Sequence, residues 1–206
     1  MILPATMLLD KGTGVPPFDK PGWLYEIKFD GYRIVAGVEN GNVRLMTRSG
    51  ADATKWFPEV VQGLGALEGG PHILDGEVCV LDDLGRSDFN RLQDRARRRR
   101  WYEGADAVVF CVFDLLHRDA RNLIDLPVEA RKSELRVLLT PAPASTMFVG
   151  HFDSDEGRTL FGQAKELKLE GLVAKRLGSP YKPGIRSPDW VKVKVPGAIP
   201  PERFKR

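Results

Sequence analysis

With 206 residues the chain has room for one large domain or two small ones, and 42% hydrophobic and 29% charged residues exclude a disordered or fibrous protein. A net charge of +3 is too small to announce a polyanionic partner by itself, and no apolar run reaches the ~20 residues a membrane span needs. A core of useful size can be buried without help from a disulfide or a metal. Cys79 and Cys111 each sit in an apolar run and read as small buried hydrophobes, and residues 1–9 lack the basic start and long apolar stretch of a signal peptide, so a reducing cytoplasm and no membrane are expected.

Residues 1–22 are rich in Pro and Gly and read as an irregular lead-in. Strand-like runs follow at 23–29, 32–39 and 42–48, the last two flanking Asn40-Gly41, a strong hairpin signal. Residues 53–67 read as helix, and 72–82 as a buried strand pair. Ser87 is a candidate cap for a helix over 88–100 that ends in the block Arg95, Arg97, Arg98, Arg99, Arg100. A near-continuous apolar strand at 106–116 precedes a helix at 127–139 with Pro127 in its first turn. A strand at 147–152, a helix from Ser154 to Lys168, and strands at 171–177 and 190–195 complete the order. Residues 196–206, with three prolines and Arg203, Lys205 and Arg206, read as a tail. Hairpins dominate and regular βαβ alternation is absent, which argues for an α+β fold with largely antiparallel sheets.

Alternation along 23–29 puts Tyr25, Ile27 and Phe29 on one face and Glu26, Lys28 and Asp30 on the other. Trp190, Lys192 and Lys194 share a face opposite Val191, Val193 and Val195; Asp75 and Glu77 share one within 72–82; Lys175 follows Leu172-Val173-Ala174. Two readings fit. Each strand can be half solvated, its charges facing water, or the polar faces can line one cleft that holds a polyanion and a metal. The Arg95–Arg100 block and the basic C-terminal residues can bind phosphates, or can be a solvated helix end and a tail.

The run Glu26-Ile27-Lys28-Phe29-Asp30-Gly31-Tyr32-Arg33 resembles the Lys-x-Asp-Gly-x-Arg signature of covalent nucleotidyltransferases. It does not stand alone. Thr47-Arg48-Ser49-Gly50, Leu74-Asp75-Gly76-Glu77, Val112-Phe113-Asp114-Leu115-Leu116, Glu170-Gly171-Leu172-Val173-Ala174-Lys175 and Trp190-Val191-Lys192-Val193-Lys194 resemble the family's further elements, in family order. The chain is similar to the ATP-dependent DNA ligases of bacteria, including the ligase modules of end-joining proteins. The resemblance implies a nucleotidyltransferase (ATP-grasp-like) domain over 1–195, mainly antiparallel sheets flanked by helices, with the nucleotide in the cleft between them. Ligases of this kind continue into an OB-fold domain that clamps DNA. The expectation here is the adenylation domain without it, with nicked DNA as partner and a separate DNA-repair or OB-fold protein as a possible second.

The resemblance also implies roles. Lys28 becomes covalently adenylated by ATP, passes AMP to a DNA 5′-phosphate, and the 3′-hydroxyl then displaces AMP. An amine nucleophile must be unprotonated, against a free lysine pKa of about 10.4; nearby cations such as Lys192 and Lys194, with Mg²⁺ (or Mn²⁺), disfavour its ammonium. Lys192 and Lys194 are also expected to stabilise phosphoryl charge, and Asp30 to orient the amine. Glu170, with Glu77, is the expected metal ligand, since Mg²⁺ takes one or two carboxylates plus phosphate oxygens and water. Glu77 is further expected on the ribose, Phe113 on adenine, the backbone of Glu26 and Ile27 at the adenine edge, and Arg33 and Arg48 on ribose and 5′-phosphate. Lys175 is placed in the nucleotide site. Phe113 also reads as plain core, given its apolar neighbours. Alternatives are an RNA ligase or GTP-using capping enzyme, told apart by adduct and acceptor, and a nucleotide- or DNA-binding module with an impaired ATP step.

Overall fold

The computed structural model describes residues 2–10, 16–18, 20–119 and 121–198; the part of the expected tail from 199 onward, with Arg203, Lys205 and Arg206, lies outside them. Among the described residues two sheets and four helices form. The first sheet contains β1 (Leu8–Asp10), β2 (Trp23–Ile27), β9 (Gly171–Arg176) and β10 (Arg186–Lys194), ordered β1-β10-β9-β2. The second runs β4-β3-β5-β6-β7, from β3 (Tyr32–Glu39), β4 (Asn42–Thr47), β5 (His72–Cys79), β6 (Val109–Arg118) and β7 (Arg121–Asn122), with β8 (Thr146–Phe148) parallel to β6. Apart from β1–β10 and β6–β8, the pairings are antiparallel, in line with the hairpin-rich sequence.

Period-2 patterning sorts each strand into two faces. Ile34, Ala36 and Val38 of β3, Leu74 and Val78 of β5, and Phe110, Val112 and Leu115 of β6 form a buried core with α1 (Pro58–Leu64), α2 (Phe89–Arg97) and α3 (Val128–Leu138). Trp23 and Tyr25 of β2, Leu172 and Ala174 of β9 and Val193 of β10 pack against Leu160 and Ala164 of α4 (Gly157–Glu166). The opposite faces of the two sheets turn toward each other. There Val35 and Ile73 meet Leu116, Tyr181 and Trp190 in a smaller cluster, and the charged residues of both sheets collect beside it.

Several sequence expectations shift. The lead-in contains β1, because Leu8 and Leu9 register on Arg186 and Ser187 of β10. The helix expected at 53–67 starts only at Pro58, since Ala53 and Phe57 point into the core from a turn. Region 72–82 is one long strand followed by an isolated bridge between Leu81 and Ser87, not a strand pair. Asp88, not Ser87, caps α2 by accepting the Arg91 N–H, at 3.1 Å. Ser154 does not start α4; its hydroxyl is taken by the Trp23 backbone. Phe29 leaves the face of Tyr25 and packs with Cys79, Cys111 and Met147, because the chain turns into the second sheet right after Lys28.

Candidate active site

The segment Lys28–Gly31 is the crossing point from the first sheet to the second, between β2 and β3. Its backbone is pinned at three places. Lys28 N–H donates to Gly171 O, at 2.9 Å. Asp30 N–H donates to Ser87 Oγ (3.0 Å) and Gly31 N–H to Glu77 Oε1 (3.2 Å). A Cβ at Gly31 would lie 2.1 Å from the Val78 carbonyl oxygen, so only glycine lets the loop approach β5 this closely. Gly171 sits at φ +145°, and a Cβ there would meet Val193 O at 2.1 Å. Glycine is needed there for backbone conformation and space alike, next to Glu170.

Glu170 reaches across and its carboxylate pairs with Lys28 Nζ. The two open into a cleft of about 330 Å³ lined also by Arg33, Arg48, Glu77, Arg186, Lys192 and Lys194. Partial burial, together with Lys194 and Lys28, pushes the Lys192 ammonium below the usual lysine range. Burial raises the Glu77 carboxyl to about 7, against the pull of Arg33 and Lys28. A buried carboxyl held that high gains most from a cation placed beside it.

Deeper in, a narrower space is lined by Glu26, Ile27, Phe29, Arg33, Phe113, Val173, Lys175 and Trp190. Lys175 is buried at its floor, 2.9 Å from Glu26 Oε2, with its Nζ 4.1 Å from the Trp190 ring centroid and 4.7 Å from that of Phe113. Burial pushes the Lys175 ammonium down to about 8, against the opposing pull of Glu26. Lys132 of α3 takes the other Glu26 oxygen at 2.6 Å and donates to Val149 O at 2.8 Å. The Glu26 carboxylate is thus spoken for by two buried lysines, and its backbone is turned to Val173 of β9, so of the two residues expected at the adenine edge only Ile27 presents its backbone outward.

The open edge of β2 faces the same space. Along it, the Trp23 backbone is satisfied by Ser154, and Tyr25 exchanges N–H and C=O bonds with Phe152 at 2.9 Å each. The next outward pair, Ile27 N–H and C=O, has no partner among the described residues. A donor and an acceptor side by side on a strand edge match a ligand that presents the complementary pair.

Residues of all six sequence elements line this cleft and the inner space beside it. The model of the ATP dependent DNA ligase domain matches residues 11–194. The chain belongs to that family. It is 37% identical over 172 residues to the multifunctional non-homologous end joining protein LigD of Pseudomonas aeruginosa, covering 84% of this chain and 20% of that protein. It is 34% identical over 177 residues to the SPbeta prophage-derived DNA ligase-like protein LigB of Bacillus subtilis, covering 86% of this chain and 63% of the relative. A solved mycobacterial DNA ligase D complexed with ATP and MES superposes with a TM-score of 0.76 at 34% identity, over 93% of this chain and 60% of that one. The chain therefore spans about a fifth of the Pseudomonas protein and less than two thirds of the other two.

In this ligase domain the cleft brings together Lys28, Glu77, Glu170, Arg33, Arg48, Lys192 and Lys194. Glu26, Ile27, Phe113 and Lys175 line the adjoining inner space. Asp30 stands beside Lys28 in the crossing loop, its N–H on Ser87. Two environments differ from expectation. Arg33 is clamped by Asp75 through two bonds of 2.6 and 2.7 Å, which uses two of its five donors. Asp75 outweighs the cost of burial and holds the Arg33 charge firmly. Its guanidinium lies 4.4 Å from the Phe113 ring centroid, so a base stacking on Phe113 shares the ring with Arg33. Sequence reading misses Lys132, Arg186 and Tyr181. Arg186 enters the cleft because β10 starts four residues earlier than the alternating run. Tyr181 OH donates to Asp75 at 2.6 Å from a loop with no periodic signal. Lys132 sits in a charged helical stretch, where nothing distinguishes a buried lysine from its solvated neighbours.

No helix among the described residues is long and apolar enough to cross a membrane.

Proposed function

We propose that this domain catalyses ATP-dependent strand joining through a lysyl-AMP at Lys28, with a 5′-phosphate at a DNA nick as the acceptor of AMP. The observation that carries the reading is Lys28 held by Glu170 at the mouth of a cleft lined by Arg48, Arg186, Lys192 and Lys194. In the first step Lys28 Nζ gives up a proton to solvent and forms a bond to the α-phosphorus as the bond to the leaving pyrophosphate breaks. Lys192 and Lys194, on one face of β10, bind the phosphoryl oxygens as charge builds on them. The Ile27 N–H and C=O, without a partner among the described residues, read the edge of adenine, and Phe113 with Trp190 walls the base pocket. Arg48 holds the incoming 5′-phosphate, and the donors Arg33 retains beyond Asp75 reach the ribose.

A divalent cation fits this donor set. Among the described residues no three His, Cys, Asp or Glu side chains form a metal cage. Glu77 and Glu170 both line the cleft beside Lys28, which suits Mg²⁺ or Mn²⁺ held by two carboxylates, phosphate oxygens and water. When bound, the cation neutralises phosphate charge. Glu170→Ala is expected to weaken Mn²⁺ binding in the presence of a non-hydrolysable ATP analogue, read by water proton relaxation, and unchanged binding places the metal elsewhere.

The test of the reaction is mass mapping after incubation with ATP or GTP and Mg²⁺. AMP is expected on the peptide containing Lys28 and absent in Lys28→Ala; an adduct that survives the substitution overturns the assignment. Adding nicked DNA or nicked RNA to the adenylated protein identifies the acceptor.

A further inference from the structure

We propose that the arginine turn after α2 is a phosphate-binding surface for the double helix flanking the nick; the inference rests on the ligase reading. Arg97, Arg98, Arg99 and Arg100 are all exposed, and the turn that carries them is braced from beneath. Arg95, fully buried, donates from Nη1 to Arg100 O at 2.8 Å and from Nη2 to Glu59 at 3.1 Å, with its guanidinium within 6 Å of the Phe57 and Tyr102 rings. It is therefore a staple beneath the block, not part of the basic surface. Arg98 lies over Tyr102 at 4.0 Å and Arg99 over Trp56 at 5.4 Å, so two guanidinium groups are oriented before any ligand arrives.

The bland reading is a solvated helix end. Cations do complement the negative end of a helix dipole, and that accounts for Arg97, which pairs with Asp94 at 3.0 Å. It does not account for three more arginines past the last helical turn. Among the described residues none of Arg98, Arg99 and Arg100 has a carboxylate within 4.0 Å. Like charges packed this closely repel each other, and an external polyanion relieves that repulsion. Trp101, 57% exposed, adds an aromatic face beside them.

Position selects the partner. The α2 helix begins next to the reactive loop: Ser87 accepts the Asp30 N–H, and Phe89 packs on Tyr32 with ring centroids 5.8 Å apart. Nine helical residues then carry the chain about 13 Å along the axis, at ~1.5 Å per residue. That is about four base-pair steps of duplex at ~3.4 Å each. Trp56 closes the link from the other side, touching Tyr32 at 6.4 Å and supporting Arg99. A duplex whose nick lies at Lys28 has backbone within reach of this turn, and guanidinium groups without carboxylate partners match phosphates by charge and geometry.

The test compares the 206-residue protein with R98A/R99A/R100A and R98K/R99K/R100K for binding to a nicked duplex across a salt series, by fluorescence anisotropy. Each lost phosphate contact should reduce the slope of log K against log[salt] by about 0.9. The alanine variant is expected to lose about two to three units of slope and to bind on the order of 10- to 100-fold more weakly near 0.15 M salt, with an unshifted thermal midpoint. The lysine variant keeps most of the slope. Wild-type slope and affinity in the alanine variant overturn the inference while leaving the ligase reading intact. A wild-type protein that forms lysyl-AMP but has no salt-dependent DNA affinity also overturns it. Absence of both adduct and DNA binding overturns the underlying function instead, and the inference with it. A lysine variant that loses slope and affinity as the alanine one does, with a lowered thermal midpoint, shows that the arginine planes hold the turn and do not contact phosphate, which again overturns the proposal.

Discussion

Glu26 is shared by two buried lysines, and its neighbourhood makes sharp demands on charge. Lys132 and Lys175 hold one carboxylate oxygen each, at 2.6 and 2.9 Å, with all three side chains almost fully removed from water. Deleting Lys132 leaves Glu26 paired with Lys175 but removes the bonds to Glu26 Oε1 and Val149 O, at a cost of about 1–3 kcal/mol. Lys132→Met is therefore expected to destabilise the domain by that order, read by urea denaturation at neutral pH, and a loss below 1 kcal/mol refutes a buried clamp. The same trio sets a pH dependence. Burial depresses the Lys175 ammonium from 10.5 to about 8, so the folded state binds this proton less tightly than the unfolded chain. The sign follows: the stabilising contribution is fully present above pH 10.5 and is lost as pH falls through about 8. A shift of this size corresponds to roughly 3 kcal/mol. The unfolding free energy of the wild type relative to Lys175→Met should rise between pH 7.5 and 10, and a flat difference across that range removes the assignment.

The loop between β2 and β3 turns strand geometry into reactivity, and it depends on Gly31. An added Cβ would sit 2.1 Å from the Val78 carbonyl and 2.8 Å from Cys79 Sγ, and the first is backbone that cannot swing aside. Gly31→Ala is expected to cost about 1–3 kcal/mol as overpacking. A displacement of about 1 Å at Lys28 is worth on the order of 100-fold in rate. Single-turnover adenylation of the refolded variant checks this; near-wild-type rates would mean that the loop tolerates relocation. Elements of this kind were partly legible in the sequence. Alternation in β2, β5 and β10 grouped Glu26 with Lys28, Asp75 with Glu77 and Lys192 with Lys194, but left open whether those faces meet water or a cleft, because period-2 patterning fixes which residues share a face and not what covers it. What stayed hidden depends on contacts distant in sequence. Nothing local marks β1 as a strand, since it exists by pairing with β10, 176 and more residues later in the chain. Ser87 carries every local sign of a helix cap, yet its hydroxyl serves Asp30 from another element. Lys132 reads as a solvated lysine on α3 until the fold brings Glu26 beneath it.

The two sheets are joined beside the cleft by the apolar cluster around Trp190 and by a few buried polar contacts, and the polar contacts bear on how the domain holds a nucleotide. Tyr181, in the loop from β9 to β10, donates to Asp75 of β5 at 2.6 Å and accepts the Met7 N–H at 2.8 Å. Lys175 of β9 reaches the Phe113 carbonyl of β6 at 3.3 Å, and Lys132 of α3 holds Glu26 of β2. Arg33 depends on the first of these indirectly, because Asp75 orients its guanidinium while Tyr181 occupies the remaining reach of that carboxylate. Tyr181→Phe deletes one hydroxyl, leaves the Met7 N–H without its acceptor and frees one sheet to shift against the other. The expected loss of stability is about 1–3 kcal/mol, the cost of an orphaned buried donor and a lost bond to a charged group. A second consequence separates clasping from mere packing. If the clasp sets the width of the cleft, the KM for ATP in lysine adenylation should rise several-fold in Tyr181→Phe at a temperature where the protein remains folded. The rate at saturating ATP should change little, since Lys28, Glu170 and the β10 lysines are untouched. Stability loss with an unchanged KM would show that the sheets keep their spacing without this bond, and would assign Tyr181 to the core alone.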